Sequence, residues 1–189
     1  EDYYYLSSVN EELVNHFNNL AKLIPKDKSL LDIGSNDGVF LKPLIKKKVK
    51  AIGIDPSINV GKIANNQGFT THIGFFDDKN TKILLSKYGK FDYIVASSIF
   101  THVENPNNFI KNLAKLLKSN GTFILEIEYI KNILQNIEFE RFYFDRPYYY
   151  SINGIQKLFY KYGFFITKVE NITPHGGSLR FFIQKNQSL

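Results

Sequence analysis

The stretch Leu30-Leu31-Asp32-Ile33-Gly34-Ser35-Asn36-Asp37-Gly38-Val39-Phe40-Leu41 decides the fold. A short apolar run enters a turn with two glycines, and a helical pattern over Phe40, Leu41, Leu44 and Ile45 follows at once. Pro43 suits that helix in its first turn, where backbone donors are unpaired anyway. The same unit recurs along the chain. Strand patterns at 51–54, 70–73 and 91–96 alternate with helical patterns at 58–66 and 80–88. A helix from Pro106 then shows Phe109, Ile110, Leu113, Leu116 and Leu117, Gly121 closes that region, and a fifth strand covers 122–127. Such alternation predicts a parallel sheet covered by helices on both faces.

Outward from this core the pattern changes. An amphipathic helix bearing Leu13, Phe17, Leu20, Ala21 and Ile24 leads in. At the other end Ser151 caps a helix through Tyr162, Gly163 stops it, and a strand at 164–169 follows. A turn at 174–177 returns the chain into 179–183, and so short a connection requires antiparallel strands. The expectation is an α/β, Rossmann-like, mostly parallel seven-stranded sheet with an antiparallel C-terminal hairpin. One domain over 1–189 is expected, with a helical lead-in at 1–28 and a substrate-side insertion at 129–150, crowded with aromatic and charged residues.

Composition narrows the function classes. The 189 residues are 43% hydrophobic, enough for one sizeable core, and 15% aromatic, which excludes disorder for most of the chain. No apolar run reaches the ~18 residues of a membrane span, and no leader pattern stands at the start, so a cytoplasmic protein without a membrane partner is expected. Cysteine is absent, which removes thiolate metal sites and Cys nucleophiles. No metal is expected. Met is absent too, including a starting one, as expected of a piece of a longer chain. Of the 24 basic residues 21 are Lys, and Lys, Asn and Ile fill about a third of the chain, a sign of AT-rich coding. The net charge of +6 therefore does not demand nucleic acid. The cluster Lys46, Lys47, Lys48 and Lys50 reads as a solvated helix end.

The glycine turn carries the chemistry. Open α/β sheets bind ligands where the first strand becomes a helix. Gly34 lets a ligand approach the backbone, Gly38 opens a helix whose amides can hold an anion, and Asn36 tolerates a left-handed conformation. Asp55 ends the second strand, placed to take both hydroxyls of an adenosine ribose. A nicotinamide fingerprint needs glycine at positions 34, 36 and 39, and Asn36 and Val39 break it. S-adenosyl-L-methionine (SAM) carries a sulfonium and an ammonium instead of a phosphate, and suits a turn holding Asp32 and Asp37.

These motifs resemble class I SAM-dependent methyltransferases, specifically the nucleotide-sugar C-methyltransferase family that makes branched deoxysugars. The similarity spans nearly the whole chain: Glu1–Tyr5 with Ser7-Ser8, Asp32 to Gly38, Gly53-Ile54-Asp55-Pro56-Ser57, Thr101-His102-Val103 and His175-Gly176-Gly177-Ser178-Leu179-Arg180. The resemblance implies a SAM pocket lined by Gly34, Asp55, the Phe75-Phe76-Asp77 segment and Ser98, and Asp32, Ser35, Asn36 and Gly38 of the turn complete the cofactor candidates. In it Phe76 would lie beside adenine and Asp77 would take its amino group. Family members also carry a cysteine-rich zinc module and a C-terminal domain, neither of which is found within this sequence. Their Tyr-His-Glu-His element matches Tyr143-Phe144-Asp145-Arg146 here, and only Tyr143 is kept.

An Arg stays protonated and cannot remove a carbon-bound proton. His102, after the fourth strand, is then the best candidate base, since imidazole is the side chain nearest to neutral in ordinary proton affinity. Tyr143 and Asp145 complete the catalytic candidates, with Asp145 orienting or replacing His102. Arg146, Tyr149 and His175 are the acceptor-binding candidates, Arg146 for a phosphate or carboxylate. The expected activity is methyl transfer to a sugar or sugar nucleotide in surface-glycan, capsule or deoxysugar biosynthesis, at oxygen in preference to carbon. Three alternatives stand beside it: methylation of a phosphate or phosphoramidate on a polysaccharide precursor, RNA methylation, and a SAM-binding module without catalysis. Against a nucleic-acid partner, Ala96-Ser97-Ser98-Ile99 lacks the signature of amino-directed base methylases.

Overall fold

The computed structural model describes residues 6–174 and 177–186. Seven strands, β1 (Ser29–Ile33), β2 (Lys50–Asp55), β3 (Thr71–Ile73), β4 (Phe91–Ser97), β5 (Leu117–Glu128), β6 (Phe164–Ile172) and β7 (Ser178–Lys185), form one sheet in the order β3-β2-β1-β4-β5-β7-β6. The first five are parallel, and β7 runs antiparallel to both β5 and β6. The helices are α1 (Glu11–Lys22), α2 (Leu41–Lys46), α3 (Ile58–Asn66), α4 (Asp78–Tyr88), α5 (Pro106–Leu116), α6 (Ile130–Gln135) and α7 (Ile152–Tyr160). Strand order reverses between β1 and β4, which opens a crevice at their C-terminal ends.

Side chains alternate across a strand, and this sorts the molecule into two cores. Leu31, Ile33, Ile94, Ala96, Phe123, Leu125 and Phe181 pack with Phe109 and Leu113 of α5 and Phe159 of α7. Leu30, Val95 and Ile124 pack on the opposite face with Leu20 and Ile24, and with Phe40, Leu41 and Leu44. By the same alternation Asp32, Asp55, Ser97, Glu126 and Arg180 all lie on the second face, the one that α1 and α2 cover. A polar site is thus built into one face.

Several boundaries differ from the sequence expectation. β5 begins at Leu117, so Gly121 lies inside a strand instead of closing α5. The Lys185 ammonium donates to the carbonyls of Ala114 and Leu117, at 2.7 and 2.5 Å, and so satisfies the end of α5. α2 starts at Leu41, one turn later than Gly38, and Pro43 does fall in its first turn. α4 starts at Asp78, because Asp77 accepts from the Asn80 amide at 2.8 Å as its N-cap. α7 ends at Tyr160, and the last two residues before Gly163 form a turn. Lys46 sits in the last turn of α2, and Lys47 donates to the carbonyls of Ala21 and Lys22, joining α2 to α1.

Candidate active site

The turn after β1 is held from three sides. Gly34 has φ 77° and Asn36 φ 47°, both left-handed, and a Cβ at Gly34 would come within 3.2 Å of Ile99. Asp55 is buried, and its two oxygens accept from the amides of Asn36 and Ser57, each at 2.9 Å. That locks the carboxylate in place while each oxygen keeps a lone pair for a further donor, so a vicinal diol fits. The lead-in closes over the turn: the Ser7 amide donates to Asn36 Oδ1 and the Ser8 amide to Asp37 Oδ2, both at 3.1 Å.

Asp32 is buried beside this turn. Desolvation, then the charges of Asp55 and Glu126, push its carboxyl up to about 8. A buried carboxyl that keeps its proton because of desolvation and neighbouring carboxylates is a site suited to a cation. The other pocket candidates take up positions around the same crevice. Ser35 is buried in the turn. Ser98 has φ 58° and donates its amide to the Glu126 carbonyl at 2.9 Å. Phe76, in the loop after β3, packs on Phe109 with ring centres 4.8 Å apart, and Asp77 caps α4. Both therefore carry structural duties whatever they touch in addition.

Sequence reasoning missed the row beyond Asp32. Ser97, Glu126, Arg180 and Glu170 stand opposite one another on β4, β5, β7 and β6. Glu126 accepts from Ser97 Oγ at 2.6 Å, from Arg180 Nε at 2.7 Å and from His16 Nε2 on α1 at 2.8 Å. These partners hold its carboxyl below the usual range despite burial. Arg180 also reaches Glu170, at 3.2 Å. A signal was present, because Glu126 and Glu128 interrupt an apolar strand, and acids there are retained only with partners.

At the end of β4, His102 and Asp145 meet across 43 residues of sequence. Nδ1 of His102 lies 3.3 Å from Asp145 Oδ2 and 3.2 Å from the Asp145 carbonyl. Two oxygens that only accept make Nδ1 the protonated nitrogen, which leaves the lone pair on Nε2. Arg146 is less available than its sequence position suggests. Its guanidinium donates to Glu128 at 2.6 Å and stacks 4.5 Å above the Tyr143 ring. Tyr143 is half exposed. The Tyr149 hydroxyl joins the insertion to itself, donating to the Arg141 carbonyl at 2.6 Å and accepting from the Tyr143 amide at 2.9 Å. Glu1–Tyr5, His175 and Gly176 lie outside the described residues.

Reversed strand order, a left-handed glycine turn, a buried Asp55 and a buried acidic cluster together define a methyltransferase domain of the class that uses S-adenosyl-L-methionine. The chain belongs to the family described as "Methyltransferase domain", which matches residues 5–169. It is 24% identical over 186 residues to the C-methyltransferase NovU of Streptomyces niveus, covering 95% of this chain and 44% of that protein. It is 26% identical over 135 residues to a ubiquinone biosynthesis O-methyltransferase of Coxiella burnetii, covering 71% of this chain and 52% of the other. The chain thus spans about half the length of these curated relatives. Among solved structures, the magnesium protoporphyrin IX methyltransferase of Synechocystis PCC 6803 with bound SAM shares the fold at TM-score 0.65 and 16% identity, over 93% of this chain and 79% of that one. No helix among the described residues is long and apolar enough to cross a membrane.

Proposed function

We propose that this chain, as one methyltransferase domain, methylates a hydroxyl of a sugar or sugar nucleotide in surface-glycan or deoxysugar biosynthesis. One observation carries the reading: the His102–Asp145 pair at the C-terminal end of β4. Methyl transfer is an in-line displacement, so the protein must align the acceptor and take its proton. Asp145 fixes the tautomer of His102, and Nε2 receives the proton as the new oxygen–methyl bond forms. Asp32, Asp55 and the turn from Gly34 to Gly38 would hold SAM, and the cofactor would supply a methyl group on a sulfonium whose sulfur departs as a neutral thioether. Loss of a carbon-bound proton would need a base where Arg146 stands. Turnover of SAM with a panel of sugar nucleotides, wild type against His102→Ala, tests this reading. Deuterium washed from solvent into a sugar carbon would overturn it in favour of C-methylation, a reaction after which NovU is named.

A second reading rests on a separate observation. Arg146 Nε is buried without a hydrogen-bond partner among the described residues. A phosphate or phosphoramidate oxygen at that position would satisfy it and, being already anionic, would need little help from His102. In that case His102→Ala would keep most of the turnover, and Arg146→Ala would lose it.

A further inference from the structure

Behind the cofactor turn lies a cleft of about 550 Å³, between α1, α2 and the segment leading into β3. Ser8, Val14 and Asn18 form one wall, Lys42, Pro43 and Lys46 another, and Asp37, Gly38, Val39, Gln67 and Phe69 the floor. Of the cofactor candidates only Gly38 lines it, beside Asp37 of the same turn, whereas Asp32, Gly34, Ser35, Asn36, Asp55, Phe76, Asp77 and Ser98 do not. Its size is that of an ordinary small-molecule site.

Three features of this cleft bear on what it can hold. Asp37 is 1% exposed; one of its oxygens takes the Ser8 amide, and the other, Oδ1, is buried with no partner among the described residues. A buried carboxylate oxygen without a donor is costly. Lys42 and Lys46 stand four residues apart, so they share a face of α2, where like charges repel. Among the described residues neither ammonium group has a hydrogen-bond or ion-pair partner, whereas that of the next lysine, Lys47, is engaged with the carbonyls of Ala21 and Lys22. Finally, Val39, Pro43 and Phe69 give the cleft an apolar side, with Phe69 so close under Gly38 that a Cβ there would lie 2.5 Å from its ring.

We propose that this cleft is a second ligand site, separate from the cofactor crevice, for a phosphoryl group carried on a hydroxyl-bearing ring. The lysine pair takes the phosphoryl oxygens, a ring hydroxyl donates to Asp37 Oδ1, and the apolar side covers one face of the ring. Occupancy is felt at the cofactor. Asp37 follows Asn36, whose amide holds Asp55 and whose side chain accepts from the lead-in at Ser7, so the two sites share one turn. Any coupling between them must be reciprocal.

The test is calorimetry of the unmodified chain with glucose 1-phosphate, uridine diphosphate and inorganic phosphate, repeated in saturating S-adenosylhomocysteine. At least one of the two organic phosphates should bind with a Kd below about 1 mM, a specific affinity of about 4 kcal/mol. It should remain bound when the cofactor product is present. The double variant Lys42→Glu, Lys46→Glu, which leaves every cofactor residue in place, should weaken it at least about tenfold, because two charge-assisted contacts are lost. Three outcomes would each overturn the site: no binding by either organic phosphate, displacement by S-adenosylhomocysteine, or inorganic phosphate binding as tightly as the organic esters. None of these readouts depends on the identity of the methyl acceptor.

Discussion

Asp32 offers the sharpest test of the buried acidic site, through pH. An unfolded aspartate releases its proton near 3.8, and the folded Asp32 near 8. Between those limits the folded chain holds one proton more than the unfolded chain, so stability falls as pH rises and levels off above about 8. Each tenfold change in proton affinity is worth about 1.4 kcal/mol, which sets an upper bound of about 6 kcal/mol, and relaxation of the site leaves about 2–4 kcal/mol to be measured. Asp32→Asn mimics the protonated carboxyl and should flatten the curve. Urea midpoints of both proteins from pH 5 to 8.5 supply the comparison. A bound cation would replace the proton. SAM affinity of the wild type should therefore strengthen towards pH 8, with about one proton released at pH 7, readable as a difference in heat between two buffers. Parallel stability curves for wild type and variant would refute the argument, since Asp32 would then carry no proton into the fold.

Other expectations follow from single contacts. Asp55→Ala removes the acceptor of the Asn36 and Ser57 amides as well as the diol site, so SAM affinity should fall by about 2 kcal/mol and thermal stability should fall with it; calorimetry on the folded variant measures the first, and unchanged affinity would remove the ribose assignment. For a hydroxyl acceptor, His102→Ala should lose about 10²–10⁴-fold in turnover, and a loss below about tenfold would sink the general base. Arg180→Leu takes the guanidinium from the buried Glu126, leaving it Ser97 and His16, and should cost about 3–5 kcal/mol in denaturant unfolding. Gly38→Ala combines a φ of 84° with overlap on Phe69 and should unfold at clearly lower temperature than wild type.

Periodicity and turn chemistry made the sheet legible in the sequence. Apolar runs of four to seven residues separated by helical stripes can pack in few ways, and the short return at Pro174 forces the antiparallel hairpin. What escaped was set by partners far apart in sequence. The start of β5 depends on Lys185, 68 residues from Leu117, which closes α5 and frees the next residues to pair. The site divides in the same way. Asp55 was legible because it stands at a fixed distance from a glycine turn. His16, Glu126 and Arg180 were not, because their meaning lies in a cross-strand row that only register creates. His102 and Asp145 were each named, and the fold brought them together.

The arginines show how this chain neutralises its buried and half-buried positive charge. Only three occur, and each is tied to a glutamate: Arg141 to Glu138 at 2.7 Å, Arg146 to Glu128 at 2.6 Å, and Arg180 to Glu126 at 2.7 Å. A guanidinium is planar and weakly hydrated, so it suits such internal pairs, whereas the ammonium of lysine prefers water. Pairing also matters for the reaction. An unpaired Arg146 at the acceptor edge would repel a sulfonium through a region of low dielectric. With Glu128 bound, the pair is neutral and still braces the insertion that carries Asp145 to His102. Recognition of an anionic acceptor by Arg146 therefore has to proceed through its free Nε, or else displace Glu128. Displacing Glu128 would break a buried ion pair. The neutral hydroxyl of a sugar makes neither demand, and this is the electrostatic reason for favouring it as the methyl acceptor.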